Sequence, residues 1–353
     1  VVVTLIGIYG TGPTLQFLKT NPEIIFYAKD YMDIIFFGAS LFFLQLTINS
    51  FLVSRGDTKS LRNVLIITFF LNLVLNPIFI YGLYFIPAMG IKGIALATLC
   101  SQLFGLIYII LKVNKTNLKK FLNLECFIPK YNLQKEILSQ TIPATISMML
   151  IGLGVFVLLF YVSTYGDYSA GGYGAAIRFE QLFLLPVLGL NASTLALVGQ
   201  NFGAMNFVRI HETYTRSIFY GTLFMGICGL FVFFSSDYIM YFFSDNDEII
   251  FYGSTYLKIA AFAGPCYPIF FISSALLQGL KKPNYQMVIN LMRMVILPVC
   301  GLSVAVLYLQ VNFTTMFLVV LIINYVFAAA VYKFSVYQID LMQKNYKPNL
   351  DAV

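Results

Sequence analysis

The sequence predicts an all-α polytopic membrane protein, and two features of its composition and one of its patterning carry that reading. Of 353 residues, 59% are hydrophobic and only 10% charged, where soluble domains carry roughly 25% charged residues. The apolar residues fall into charge-poor segments of about 20 residues, the length a helix needs to cross a hydrocarbon layer of roughly 30 Å. Leu, Ile and Phe run through these segments without the alternation of a barrel strand, and a backbone cut off from water must be helix or closed barrel. A water-soluble fold is excluded.

The elements follow in order. Residues 1 to 18 (VVVTLIGIYGTGPTLQFL) read as the tail of a span already under way at Val1. Nine whole spans are expected at about 27–53, 60–82, 91–113, 136–163, 172–199, 208–234, 249–278, 283–308 and 311–336. Polar turns separate them. Arg55, Gly56, Asp57 and Lys59 part the first pair, and a basic stretch from Lys112 to Lys135 parts the third from the fourth. Asp237, Asp245, Asp247 and Glu248 close the sixth, and Gly279, Lys281 and Lys282 close the seventh. Pro143, Pro186, Pro265, Pro268 and Pro298 interrupt spans, which a membrane tolerates only where a neighbour or a cavity satisfies the freed carbonyls.

Charge gives the orientation. One set of loops holds Arg55, Lys59, Arg62, Lys112, Lys115, Lys119, Lys120, Lys130, Lys135, Arg209, Arg216, Lys281, Lys282, Lys333, Lys344 and Lys347. The other set holds Lys19, Lys29 and Lys92 with Glu23, Asp30, Asp33, Asp167, Asp237, Asp245, Asp247 and Glu248. By the positive-inside rule the first set is cytoplasmic, and the net charge of +7 is a matter of topology. Because the basic residues are divided among separate loops, no nucleic-acid partner is expected. The five cysteines, Cys100, Cys126, Cys228, Cys266 and Cys300, show no close pairing, and His211 has no metal-ligand neighbours at a useful spacing.

Two cytoplasmic turns look alike. Gly56-Asp-Thr-Lys59 and Gly279-Leu-Lys-Lys282 each follow a long apolar span, about 223 positions apart. Six spans lie between them, an even number, so the halves are parallel repeats. On that repeat the first half would begin about 90 residues before Val1, room for two and a half more helices.

Few ionisable groups lie inside spans, and each is a functional candidate because burial in a bilayer is costly. Arg178 and Glu180 stand near the start of 172–199, and Glu180, Leu184, Val187, Asn191 and Thr194 share a helix face. Two readings stand side by side: Glu180 exchanges a proton or cation, or Arg178 neutralises it as a structural pair. Gln181, beside Glu180, joins Arg178, Asn191 and Thr194 as a candidate for contact with substrate. Asn72 and Asn76 are one turn apart, as are Thr98 and Gln102 in the next span. Their oxygens are hard ligands suited to Na⁺, or they are glue between helices. Arg293 and Lys258 are expected to snorkel. There is no nucleotide-binding loop, Cys/His cluster or Ser/His/Asp arrangement, so no cofactor and no enzyme is expected.

Several stretches resemble one transporter family. Arg55-Gly56-Asp57-Thr58-Lys59, Asn72-Leu-Val-Leu-Asn76-Pro77 and Gly90-Ile-Lys-Gly93 resemble the fourth to sixth helices of the multidrug and toxic compound extrusion (MATE) family. Gly174-Ala-Ala-Ile-Arg178-Phe-Glu180 with Gly199-Gln-Asn201-Phe-Gly203 is similar to its eighth helix, and Gln278-Gly279 with Asn290-Leu-Met-Arg293 to the turn after its tenth.

The resemblance implies two six-helix bundles around a central cleft, exporting organic, often cationic and amphiphilic compounds in exchange for Na⁺ or H⁺. Its DinF-like branch pairs an acid on the first helix with polar residues that match Asn72, Asn76 and Thr98; many members carry Asp where this chain has Asn76. The expected organisation is a first lobe at 1–113, beginning in its third helix, a cytoplasmic linker at 114–135, a second lobe at 136–336 and a cytoplasmic tail at 337–353. A monomer in a bacterial inner membrane is expected. The alternative is a flippase for a lipid-linked precursor and, further off, a channel or an intramembrane enzyme.

Overall fold

The computed structural model describes residues 2–17, 22–115 and 130–346. Val1, Lys19, Lys119, Lys120, Cys126, Lys347 and most of the expected linker lie outside the described residues. Regular structure among the described residues is helical, with one isolated bridge between Leu83 and Ile86. The chain divides into two compact units, Val1–Ile128 and Pro129–Val353.

The first unit holds α1 (Val2–Phe17), α2 (Pro22–Phe37), α3 (Ala39–Ser54), α4 (Thr58–Tyr81) and α5 (Ile91–Asn114). The span expected at 27–53 is α2 and α3 together, bent by 46° at Gly38. A Cβ at Gly38 would collide with the Leu99 side chain, so the glycine lets α5 press into the bend. α4 and α5 form a hairpin whose turn begins at Gly82, held at φ +78° against the backbone of Ile86 and Ala88, a place only glycine fits. Leu52, Val64 and Ile109 form the buried centre of this unit.

The second unit holds α6 (Tyr131–Ser163), α7 (Asp167–Gly203), α8 (Phe207–Phe243), α9 (Asp247–Ala263), α10 (Tyr267–Gly279), α11 (Pro283–Leu291), α12 (Leu297–Leu302) and α13 (Phe313–Tyr346). A 3-10 turn at Gly264–Cys266 joins α9 to α10. π turns at Met292–Ile296 and Ser303–Tyr308 flank α12. The turns at Gly264–Cys266 and Met292–Ile296 follow from proline. Pro265 and Pro298 have no N–H to return to Ala261 and Met294, so the ladder must shift. The core gathers around Tyr173, Tyr256, Phe313 and Phe317, whose rings meet at centroid distances of 4.8 to 5.9 Å, in the range of favourable aromatic pairs.

Among the described residues eight helical runs are long and apolar enough to cross a membrane, nine with the α2–α3 pair, matching the nine expected spans. Their ends differ from expectation. α7 and α8 have 37 residues each, about 55 Å at the α-helical rise, so they outrun the hydrocarbon and continue through sequence read as loop. Asp237 is therefore helical, and Lys258, expected to snorkel alone, pairs with it at 2.9 Å. Asp30 and Asp33 likewise stand within α2, Asp30 paired with Lys92 at 3.2 Å. α13 continues from 336 to Tyr346.

The two similar turns share a hydrogen-bond pattern, but not at the glycines. After α3, Asp57 N–H donates to Leu52 and Gly56 N–H to Val53; after α10, Lys282 N–H donates to Leu277 and Lys281 N–H to Gln278. These are paired Schellman bonds, and they align Gly56 with Lys281, an offset two residues longer than the sequence match. Gly56 and Lys281 are the left-handed residues, at φ 86° and 58°. Gly279 serves packing instead, since a Cβ there would meet Val198 at 2.7 Å.

Candidate functional site

In the first unit the structure brings Asn72, Asn76 and Thr98 together. Asn76 Nδ2 donates to Asn72 Oδ1 at 2.8 Å, Asn72 Nδ2 to Thr98 Oγ1 at 3.3 Å, and Thr98 Oγ1 to the Ile94 carbonyl at 3.0 Å. Helical spacing puts the two asparagines on one face of α4, and the hairpin brings Thr98 of α5 opposite. Asn76 Oδ1 is buried without a hydrogen-bond partner. Gln102 makes no bond to the three. The set is neutral, with one free oxygen, and suits a monovalent cation only as part of a larger shell.

In the second unit, Glu180 of α7 lies at the wall of a cavity of about 190 Å³. Tyr256 Oη donates to Glu180 Oε2 at 2.5 Å and Tyr267 Oη to Oε1 at 2.8 Å. One phenol comes from α9 and the other from the first residue of α10, on either side of the 3-10 turn. Tyr267 is held by its own N–H on the Gly264 carbonyl. Arg293, from the π turn, is 9% exposed and lies 3.9 Å above the Phe270 ring and 5.2 Å from the Tyr267 ring, a cation–π arrangement. Its Nε donates to Asn324 Oδ1 at 3.4 Å. Arg293 thus faces the protein interior, not the interface as snorkelling would have it. Tyr267 joins acid and base, its hydroxyl on Glu180 and its ring beside Arg293.

The other second-unit candidates divide. Gln181 and Leu184 line the cavity. Arg178 does not pair with Glu180: it is exposed, because residues two apart on a helix point to different sides. Asn191 is half-buried, and neither it nor Thr194 lines the cavity. Thr194 is buried below Pro186 and donates to Ser217 Oγ of α8 at 3.0 Å, a bond between helices.

Sequence reading missed Tyr256, Tyr267 and Asn324 because it searched for charge. A signal was present: Tyr256, Ala260, Ala263 and Tyr267 follow at intervals of four, three and four, one face carried through the proline break, and all four line the cavity.

Comparison with known proteins agrees with this architecture. The chain is 28% identical over 289 residues to the probable multidrug resistance protein YpnP of Bacillus subtilis, covering 81% of this chain and 63% of that protein. It is 25% identical over 288 residues to the FAD transporter of Shewanella oneidensis, again covering 81% and 63%. The chain therefore spans somewhat less than two thirds of the length of these relatives. An outward-facing structure of a multidrug resistance MATE family transporter of the MOP superfamily superimposes with a TM-score of 0.89 at 21% identity, over 97% of this chain and 76% of that one. The sequence profile of MatE matches residues 1–78 and 143–301. Those segments include Asn72 and Asn76 in one unit and Glu180, Tyr256, Tyr267 and Arg293 in the other, so the chain that builds both polar clusters belongs to the MatE family.

Proposed function

We propose that the protein exports organic cations across a bacterial cytoplasmic membrane in exchange for H⁺ or Na⁺. The observation that carries this reading is Glu180, a carboxylate at a cavity wall, gripped by phenols from both sides of a helix break. A carboxylate far from water needs donors, a proton or a counter-cation. Tyr256 and Tyr267 supply the first. A proton and an organic cation are alternative occupants, and mutual exclusion at one group is the physical basis of exchange, since each shifts the population toward the state it prefers. Movement at Gly264–Cys266 would separate the two phenols and change the hold on Glu180, linking occupancy to alternating access.

Arg293 beside Glu180 keeps the cavity close to neutral, in contrast with the cationic cavity a pyrophosphate-bearing lipid would need, so export is preferred to flipping. Asn72, Asn76 and Thr98 are read as part of a second contact for the coupling cation, of the DinF-like kind. Transport, not catalysis, is the chemistry such groups support, and the coupling ion takes the place of a cofactor.

The test is dye efflux from vesicles containing the protein, under an imposed H⁺ or Na⁺ gradient. Glu180→Gln should cut gradient-driven efflux by about 100-fold, Asn76→Ala should weaken it, and Arg178→Ala should leave it within about twofold. Unchanged efflux in Glu180→Gln would remove Glu180 from coupling. If neither gradient moves any cation, the export reading fails.

A further inference from the structure

Two further voids in the second unit lead from the Glu180 cavity toward the lipid. A groove of about 880 Å³ runs along α8 from Thr215 to Phe233, closed on its far side by Pro265, Ile269 and Tyr325. Phe219, Ile227 and Leu230 on its rim are about 60% exposed, apolar surface of the kind that hydrocarbon solvates. Between groove and cavity lies a pinched void of about 20 Å³. Gly229 and Ala261 line both the groove and the pinch, while Glu180 and Ala260 line both the pinch and the cavity. The three voids are a series with shared walls, and the carboxylate stands where the inner two meet.

The pinch is closed by adaptable parts. Met225 and Leu257 line it, and a thioether side chain repacks easily. A Cβ at Gly229 would strike the Ala261 carbonyl oxygen, so α8 and α9 touch there through backbone alone. That carbonyl is the one Pro265 cannot serve. The next carbonyls are held by side chains of other helices: Phe262 by Tyr325 Oη at 2.8 Å and Pro265 by Thr222 Oγ1 at 3.4 Å. Side-chain tethers can be remade after a shift, whereas a helical ladder resists one.

We propose that this series is a lateral gate between α8 and the α9–α10 break, through which a cationic amphiphile dissolved in the bilayer reaches Glu180. The apolar tail lies in the α8 groove, as it would among lipid chains, and the cationic head crosses the Gly229–Ala261 pinch to the carboxylate. Charge selects this occupant, because a neutral tail alone finds no partner at the inner end. The proposal rests on the reading of Glu180 as the cation-exchanging group.

Gly226 gives a clean test. It lines the groove, and a Cβ there meets nothing within 4 Å, so Gly226→Trp fills the groove with little cost to folding. The chain has no other Trp, so the indole also reports its own surroundings. Vesicles containing the unsubstituted or substituted protein are assayed for gradient-driven movement of dodecyltrimethylammonium and of tetramethylammonium.

Gly226→Trp should lower kcat/KM for the amphiphile at least about tenfold and leave the compact cation within about twofold. Brominated-chain phosphatidylcholine should quench the indole, and dodecyltrimethylammonium should relieve the quenching, at about tenfold higher concentration when Glu180→Gln is added. Equal effects on both cations, no quenching, or relief that ignores Glu180→Gln would each overturn the gate. Failure of the unsubstituted protein to move either cation would instead overturn the export reading, and the quenching arm would still report on the groove.

Discussion

Glu180 is held by what surrounds it more than by what precedes it in sequence. A hydrogen bond to a charged group contributes about 1.5–3 kcal/mol, and Glu180 receives two, from hydroxyls at 2.5 and 2.8 Å. Tyr256→Phe and Tyr267→Phe each delete one hydroxyl while keeping the ring, so the packing of Tyr256 against Phe317 and Tyr173 survives. Each should lower gradient-driven efflux by about tenfold. The informative comparison is the double substitution: Tyr256→Phe added to Glu180→Gln should cost little beyond Glu180→Gln alone, because the two act through one bond. Additive losses would show that Tyr256 works elsewhere. At this scale the sequence exposed the acid and hid its partners. A lone carboxylate in an apolar run is conspicuous, whereas tyrosines are ordinary in such runs and their role depends on which helices meet. Arg178 misled for the opposite reason, since closeness in sequence is not closeness in space on a helix.

Helix ends carry the next level of control. Asp57 caps α4 by accepting from Ser60 N–H at 3.0 Å and Ser60 Oγ at 2.6 Å. The Ser60 hydroxyl, then the Ser60 amide, hold its carboxyl below the usual carboxylate range. A depressed native value means that the cap's contribution is fully present above about pH 4, near the unfolded value, and is lost as pH falls through the native one. Asp57→Ala should therefore destabilise the start of α4 by about 1 kcal/mol, and Asp57→Asn by less. Hydrogen exchange of the amides at 58–62, measured from neutral pH down into acid, reads both effects: Asp57→Ala should accelerate exchange near neutral pH and make progressively less difference as the pH falls below about 4. The number and order of the spans were legible from apolar length, because the bilayer sets that length. Their ends were not, since α7, α8 and α13 keep their ladders after leaving the apolar stretch. The repeat was legible as a pair of similar turns, but its register was hidden, because Gly56 answers to backbone geometry and Gly279 to the Val198 side chain.

For the whole molecule, orientation is the quantity the charges decide. The turns after α3, α7 and α10 share the same tight closure at Gly56, Met205 and Lys281, and all three fall on the side assigned to the cytoplasm by Arg55, Arg209 and Lys282. The α4–α5 hairpin and the α8–α9 turn fall on the other side, with Tyr84 almost fully exposed, Asp245 between the helices and Asp247 and Glu248 in the first turn of α9. Both the groove along α8 and the position of Glu180 inherit their depth from this assignment, since a reversed chain would open the basic end of the groove to the opposite leaflet. Single cysteines at Tyr84 and Asp245, in a background where the native cysteines are serine, should react with a membrane-impermeant maleimide in intact cells. Single cysteines at Arg62 and Arg209 should react only after permeabilisation. Because an odd number of spans separates each probed site from the next, one between Arg62 and Tyr84, three between Tyr84 and Arg209 and one between Arg209 and Asp245, reversal at any single site would make the number of spans beside it even, and reversal at all four would invert the protein. Either pattern contradicts the assignment, and labelling of Tyr84 and Asp245 alone fixes the α8 groove with its Thr215 end toward the cytoplasmic leaflet.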